Sequence, residues 1–152
     1  SHRLIEPLYN YERYISHPIE SGIQIKIDKK NIWSDTWINW EVQQYLNSNF
    51  KEQLSGGHSS KTTLYTSGDG WKFKLPIQGL ISHKGGQLDT DTSSLKTLVN
   101  IGTGLIIEYD KPSPLAFIKS YRSENYYFLF NDLSPKKVPP PYQLCIPIDP
   151  CW

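Results

Sequence analysis

Methionine is absent from the 152 residues, and only two cysteines are present. A chain without methionine is expected to be processed or excised, with any targeting segment outside it, and Ser1-His2 reads as an expression remnant without functional weight. Only three cations are arginine, at positions 3, 13 and 122. Arginine is the usual bidentate reader of phosphate and carboxylate, so its scarcity speaks against a specialised phosphate surface. Sixteen Lys and Arg face fifteen Asp and Glu, which excludes a global bias toward nucleic acid or an anionic membrane. No apolar run approaches the roughly 18 residues of a membrane-spanning helix. No Asn-x-Ser/Thr sequon occurs, so glycosylation gives no support for a secreted eukaryotic origin. No phosphate loop, dinucleotide fingerprint, Gly-x-Ser-x-Gly elbow or His-Glu-x-x-His motif occurs, which weakens an enzyme reading without excluding it. Cys145 and Cys151 lie too far from any His for a zinc site, and no metal or other cofactor is expected. An intrachain disulfide around Pro147 and Pro150 is the simplest reading of that pair, and it favours an oxidising, extracellular or surface location.

Aromatic side chains are plentiful: five Trp, ten Tyr and five Phe. Each buries a large area, so a core can form and the chain should fold as a single domain, 1–152. An N-terminal arm, 1–20, carries Tyr9, Tyr11 and Tyr14, and a Pro-rich tail, 134–152, holds six of the eleven prolines. In residues 22–28 three isoleucines alternate with polar groups, which predicts a half-buried strand. Ile38, Val42, Leu46, Phe50 and Leu54 recur every four residues behind the capping residues Ser34 and Asp35, and Gly56-Gly57 follows. That pattern predicts an amphipathic helix over about 35–55, although Trp33, Trp37 and Trp40 also suit a strand. Strands over 62–66 and 71–75 flank a turn at Ser67-Gly68-Asp69-Gly70. A short strand follows at 80–83. Further hairpins are expected around Gly102-Thr103-Gly104 and around the polar stretch 120–125. The fold class is therefore mainly β, with α+β the minority alternative: a β-sandwich or curled antiparallel sheet with the 35–55 helix packed on it.

Several residue groups could carry function. His58 and His83, with Lys84, sit beside glycines; two imidazoles and a cation are the equipment of metal-independent cleavage, one base, one acid and one charge stabiliser. Asp89 and Asp91 lie among hydroxyl residues but lack the glycine and distal Glu of a calcium loop. Glu108 and Asp110 share one strand face without an identifiable partner. Pro139-Pro140-Pro141-Tyr142 fits a polyproline motif, which would let the tail dock a partner in an assembly protein. Trp40, Trp71, Tyr121, Tyr126 and Tyr127 offer stacking area for a sugar or a protein.

The reading that these features favour is a non-catalytic binding module, a receptor- or glycan-binding domain of a larger surface, viral or secreted protein. Its partner is a protein receptor or a glycan; it has no membrane span. The alternative is a small metal-independent hydrolase or nuclease, toxin-like, using His58, His83 and Lys84. That alternative requires the two imidazoles to approach within about 6–8 Å of each other, and it alone brings in nucleic acid.

Overall fold

The computed structural model describes residues 2–8, 20–46, 48–85, 94–110 and 119–135. They form one six-stranded antiparallel sheet in which each strand pairs with its neighbours in sequence. The strands are β1 (Gly22–Lys29), β2 (Ile32–Val42), β3 (Glu52–Thr66), β4 (Trp71–Gly85), β5 (Lys96–Asp110) and β6 (Ser120–Asp132). The mainly-β class is correct. Among the described residues there is no second sheet, so the β-sandwich is not seen.

The expected helix over 35–55 is also absent. Its residues form most of β2, a connection and the start of β3. The apolar positions 38, 42, 46, 50 and 54 are all even. A spacing of four satisfies a strand of period two as well as a helix of period 3.6. Gly56 and Gly57 lie inside β3, where Gly57 faces Trp37 across the ladder. A Cβ on Gly57 would stand 2.5 Å from Trp37 Cζ2, so this glycine makes room for the indole and ends no helix. The Gly102-Thr103-Gly104 segment is likewise the interior of β5, paired to Phe128, Tyr127 and Tyr126 of β6. A Cβ on Gly102 would lie 2.8 Å from the Phe128 ring. Residues 120–125 are strand as well.

Register sorts the side chains into two faces. Directly opposed residues in an antiparallel ladder share a face. One row runs Ile25, Thr36, His58, Gly79, Ile101 and Leu129. Parallel rows on the same face hold Ile23, Ile38, Ile81 and Val99, and then Ile27, Ile77 and Tyr127. The opposite face carries Gln24, Asp35, Trp37, Ser59, Lys61, Lys74, Gln78, Glu108, Arg122 and Glu124.

Burial is inverted relative to a water-soluble sheet. Ile23 and Ile25 are 71% and 61% exposed, while Ser59, Gln78 and Asp35 on the polar face are buried. Among the described residues four hydrophobic side chains are buried, Leu4, Leu8, Trp37 and Ile106, against twenty-two large hydrophobics exposed. The strand over 22–28 is thus correctly located, but its isoleucines do not face a core. Residues 2–8 lie on the polar face. The Ile5 amide donates to Gln78 Oε1 at 3.1 Å, and Gln78 Nε2 donates to the Arg3 carbonyl at 3.2 Å. Leu4 and Leu8 pack there with Trp37, and Leu80 and Phe128 lie against them.

Candidate functional site

Alternation along β2 places Trp33, Asp35 and Trp37 on the polar face. Asp35 is fully buried, and a buried carboxylate needs partners. Gln24, on the adjacent strand, donates from Nε2 to both Asp35 oxygens at 2.8 and 2.9 Å. The second partner is His2, whose Nδ1 lies 3.3 Å from Asp35 Oδ2. Gln24 Nε2 also lies 3.2 Å from the same Nδ1, so that nitrogen faces both the carboxylate and an amide donor. The other imidazole nitrogen, Nε2, lies 2.6 Å from Glu20 Oε2. The ring itself stacks on Trp37, with centroids 3.8 Å apart and planes 10° from parallel. His2 is buried and held on all sides: one carboxylate at each nitrogen and an indole beneath it.

This cluster borders a cavity of about 170 Å³ whose walls include His2, Glu20, Gln24 and Trp37 together with Ile23 and Ile38. The first four belong to the polar side of the sheet, and the isoleucines belong to the apolar face. The cavity lies by β1, where the sheet ends, so both chemistries meet in one space.

Further along the polar face is a charged group. Lys74 Nζ donates to Glu108 Oε2 at 2.6 Å. Arg122 forks onto Glu124 and lies 3.8 Å from Glu108 Oε1. Tyr126 donates its hydroxyl to Glu124 Oε2 at 3.1 Å. Burial alone would push the Glu108 carboxyl up, but the Lys74 ammonium, with Arg122 and Lys61, holds it below the usual carboxylate range. Burial, reinforced by the Glu124 charge, pushes the Tyr126 phenol up to about 12. Burial also lowers the Lys61 ammonium, and the neighbouring Arg122 and Lys74 charges add to this.

The residues singled out by sequence are dispersed. His58 faces Gly79 and His83 faces Leu54, on the same side of the sheet. They are four residues apart along the ladder, roughly 13 Å at 3.3 Å per residue. Each binds a neighbouring hydroxyl, His58 that of Thr36 and His83 that of Thr97, both at 2.8 Å. Lys84, the next residue after His83, points to the opposite face. The structure therefore does not bring these three groups together. Trp40 is on the apolar face with its indole N–H on Glu52. Trp71 packs against Tyr109 at 4.8 Å, and Tyr121 is paired to Tyr109 at the same end of the sheet. Tyr127 is 72% exposed amid the isoleucines, whereas Tyr126 is on the polar face with Glu124. Cys145 and Cys151, the Asp89–Asp91 loop and the Pro139–Tyr142 motif lie outside the described residues. Among the described residues no three His, Cys, Asp or Glu side chains gather as a metal site.

Sequence reasoning missed His2, set aside as a remnant, and Asp35, assigned to a helix cap. The available signal was a charged residue between two tryptophans on one face of an alternating segment. Its partner His2, and Glu20 on the far side of that imidazole, could not be found from spacing.

No curated protein and no solved structure matches the chain. A family model described as Lipid A 3'-O-deacylase-type matches residues 1–144. A deacylase is a hydrolase, and this match overturns the expectation of a non-catalytic receptor- or glycan-binding module. With 144 of 152 residues matched, the chain belongs to the Lipid A 3'-O-deacylase-type family.

Proposed function

We propose that the chain takes part in hydrolysing an acyl ester of a membrane lipid, with His2 as the general base. The observation that carries this reading is the shared cavity: a buried, oriented imidazole opens on the same space as Ile23 and Ile38 of the apolar face. An acyl chain can lie along the isoleucines while its ester reaches the imidazole. The family description names lipid A as the substrate and a 3' oxygen as the acylated position. A lipid substrate replaces the protein or glycan partner expected from sequence. The hydrolase alternative is kept in its reaction class but not in its residues, since His58 and His83 are too far apart to share one scissile bond.

In this mechanism Asp35 holds Nδ1–H and stabilises the imidazolium, as a buried carboxylate does for an oriented histidine. Nε2 takes a proton from water, and the resulting hydroxide attacks the ester carbonyl. The imidazolium then returns the proton to the departing sugar oxygen, leaving a free fatty acid and a hydroxyl. Glu20, partly exposed, occupies Nε2 at 2.6 Å in this structure, so its carboxylate moves aside to let the attacking water reach that nitrogen.

The apolar face fits a lipid boundary. Alternation of apolar-out and polar-in residues, ending in aromatics, is the pattern of strands in a membrane barrel wall. Trp71 and Tyr109 mark one end, and Trp40, in the row of Leu54 and His83, marks the other. From Trp71 to His83 is twelve residues, about 40 Å along the strand, or about 28 Å across a membrane at a tilt near 45°. Among the described residues no helix is long and apolar enough to cross a membrane. This reading supports an outer-membrane or surface-associated location.

The test is fatty-acid release from lipid A in detergent micelles. His2→Gln and Asp35→Asn should each lower kcat by at least about 10²-fold, with the folded β-spectrum retained. Full activity in folded His2→Gln overturns the assignment.

A further inference from the structure

A second cavity, of about 150 Å³, lies on the polar face beyond the His2 site, bordered by Arg3, Trp33, Ser59, Lys61, Gln78 and Tyr126, with Glu124 also on its wall. A single water needs roughly 10–15 Å³ of such space, so a tetrahedral oxyanion fits. Four cations gather around this region, Arg3, Lys61, Lys74 and Arg122, against two carboxylates, Glu108 and Glu124. The carboxylates are fully engaged: Glu108 by Lys74 and Arg122, and Glu124 by Arg122 and the Tyr126 hydroxyl. Arg3 and Lys61 make no direct ion pair with either carboxylate, although the Glu124 and Glu108 charges reach Lys61, and both cations line the cavity. Arg3 stands with its guanidinium 4.8 Å over the Trp33 ring. Its backbone is held at φ 51°, a left-handed conformation uncommon for a side-chain-bearing residue. Lys61 makes no hydrogen bond or ion pair among the described residues, although it is half-buried.

We propose that this cavity binds a phosphate-class oxyanion between Lys61 and Arg3. Two unpaired cations match the charge of a phosphomonoester, which approaches two negative charges at neutral pH. A guanidinium and an ammonium then supply charge-assisted hydrogen bonds to separate oxygens. The anion has two sources, free phosphate or the phosphorylated head of a lipid, and the chemistry of recognition is the same for both. The site does not depend on the hydrolytic reading: Arg3 follows His2 in the chain but carries its guanidinium over Trp33, and Lys61 is on β3.

The experiment is calorimetric titration of the detergent-solubilised full chain with inorganic phosphate. Saturable binding is expected, weakened at least tenfold in Lys61→Gln and in Arg3→Gln, and unchanged in Lys30→Gln. Glu124→Gln removes a negative charge from the wall and should tighten binding, a result that misfolding cannot produce. A second arm adds short-chain phosphatidic acid, with phosphatidylcholine as the uncharged-head comparison. Displacement of phosphate by the acidic lipid alone assigns the site to a lipid head; displacement by neither assigns it to free phosphate. Absence of saturable phosphate binding, or equal binding by wild type and Lys61→Gln, overturns the proposal.

Discussion

Replacing Ile77 by arginine tests the inverted polarity of the sheet most directly. Ile77 lies on the apolar face of β4, paired to Ser60 on one side and Thr103 on the other. It is six residues from Trp71 and six from His83, so about 20 Å of strand separates it from each end of the apolar band. At a tilt near 45° that is about 14 Å from either boundary, the middle of the hydrocarbon layer. A cation on a lipid-facing strand at that depth costs about 2–4 kcal/mol, a 30- to 900-fold loss in the folded-to-unfolded ratio. Tyr121→Arg supplies the depth control. It changes the same kind of face at the aromatic end, where the cost falls to about 0–1 kcal/mol. Both variants can be measured by urea titration in phosphatidylcholine vesicles, following the shift in gel mobility between folded and unfolded chain. In water the ranking would be lost, because an exposed isoleucine replaced by arginine is close to neutral. The lipid-facing assignment is refuted if Ile77→Arg costs no more than Tyr121→Arg, or if the wild-type chain folds as a monomer without lipid or detergent.

Two other perturbations follow from particular contacts. Gly57→Ala puts a methyl group 2.5 Å from the Trp37 ring and 2.8 Å from the Gly79 carbonyl oxygen, so the indole must move by about 1 Å to restore contact distance. Overpacking of this kind costs about 1–3 kcal/mol. The shift passes to the stacked His2, and a displacement of that size lowers turnover by up to about 10²-fold. The checks are near-ultraviolet dichroism and the deacylation rate; an altered indole signal with full activity would detach Trp37 from the reaction. The second perturbation is acid. Glu108 has its folded pKa depressed, so the unfolded chain takes up the proton first as pH falls. The stabilisation is complete above the usual carboxylate range and is lost as pH drops through the lower folded value. Glu108→Gln, which leaves Lys74 without its carboxylate, should cost about 1–3 kcal/mol at pH 7. The gap to wild type should close as pH falls below about 4.5 in urea titrations. A gap that persists to the lowest pH would mean that the charge of Glu108 contributes nothing.

Much of the fold was legible because strand alternation depends only on neighbours. Residues 22–28, and the hairpin flanking Ser67 to Gly70, carry that signal in full. The failures have a common physical origin. Alternation states which residues share a face, but it does not state which face meets water. Ile23, Ile25 and Ile27 bury against a core if the surroundings are aqueous and against acyl chains if they are not, and the sequence of β1 is the same in both cases. The helix over 35–55 failed for a related reason, because even-numbered apolar residues satisfy two periods at once. The charged groups on the other side of the strands decide between these readings. Lys72 and Lys74 look like a solvated edge when Trp71, Phe73 and Leu75 are taken as core. Once the aromatics are turned outward, Lys74 must be satisfied inside, and Glu108 of β5 and Arg122 of β6 complete its network. The same logic exposes the candidate site. Asp35 between Trp33 and Trp37 is unremarkable as a helix cap, but on the inner face of a sheet it is a buried charge that demands a partner. His2 answers that demand across thirty-three residues of sequence, a distance over which no spacing rule operates. The polarity of the sheet therefore has to be settled first, because it alone determines which charged residues need partners and hence where chemistry can be built.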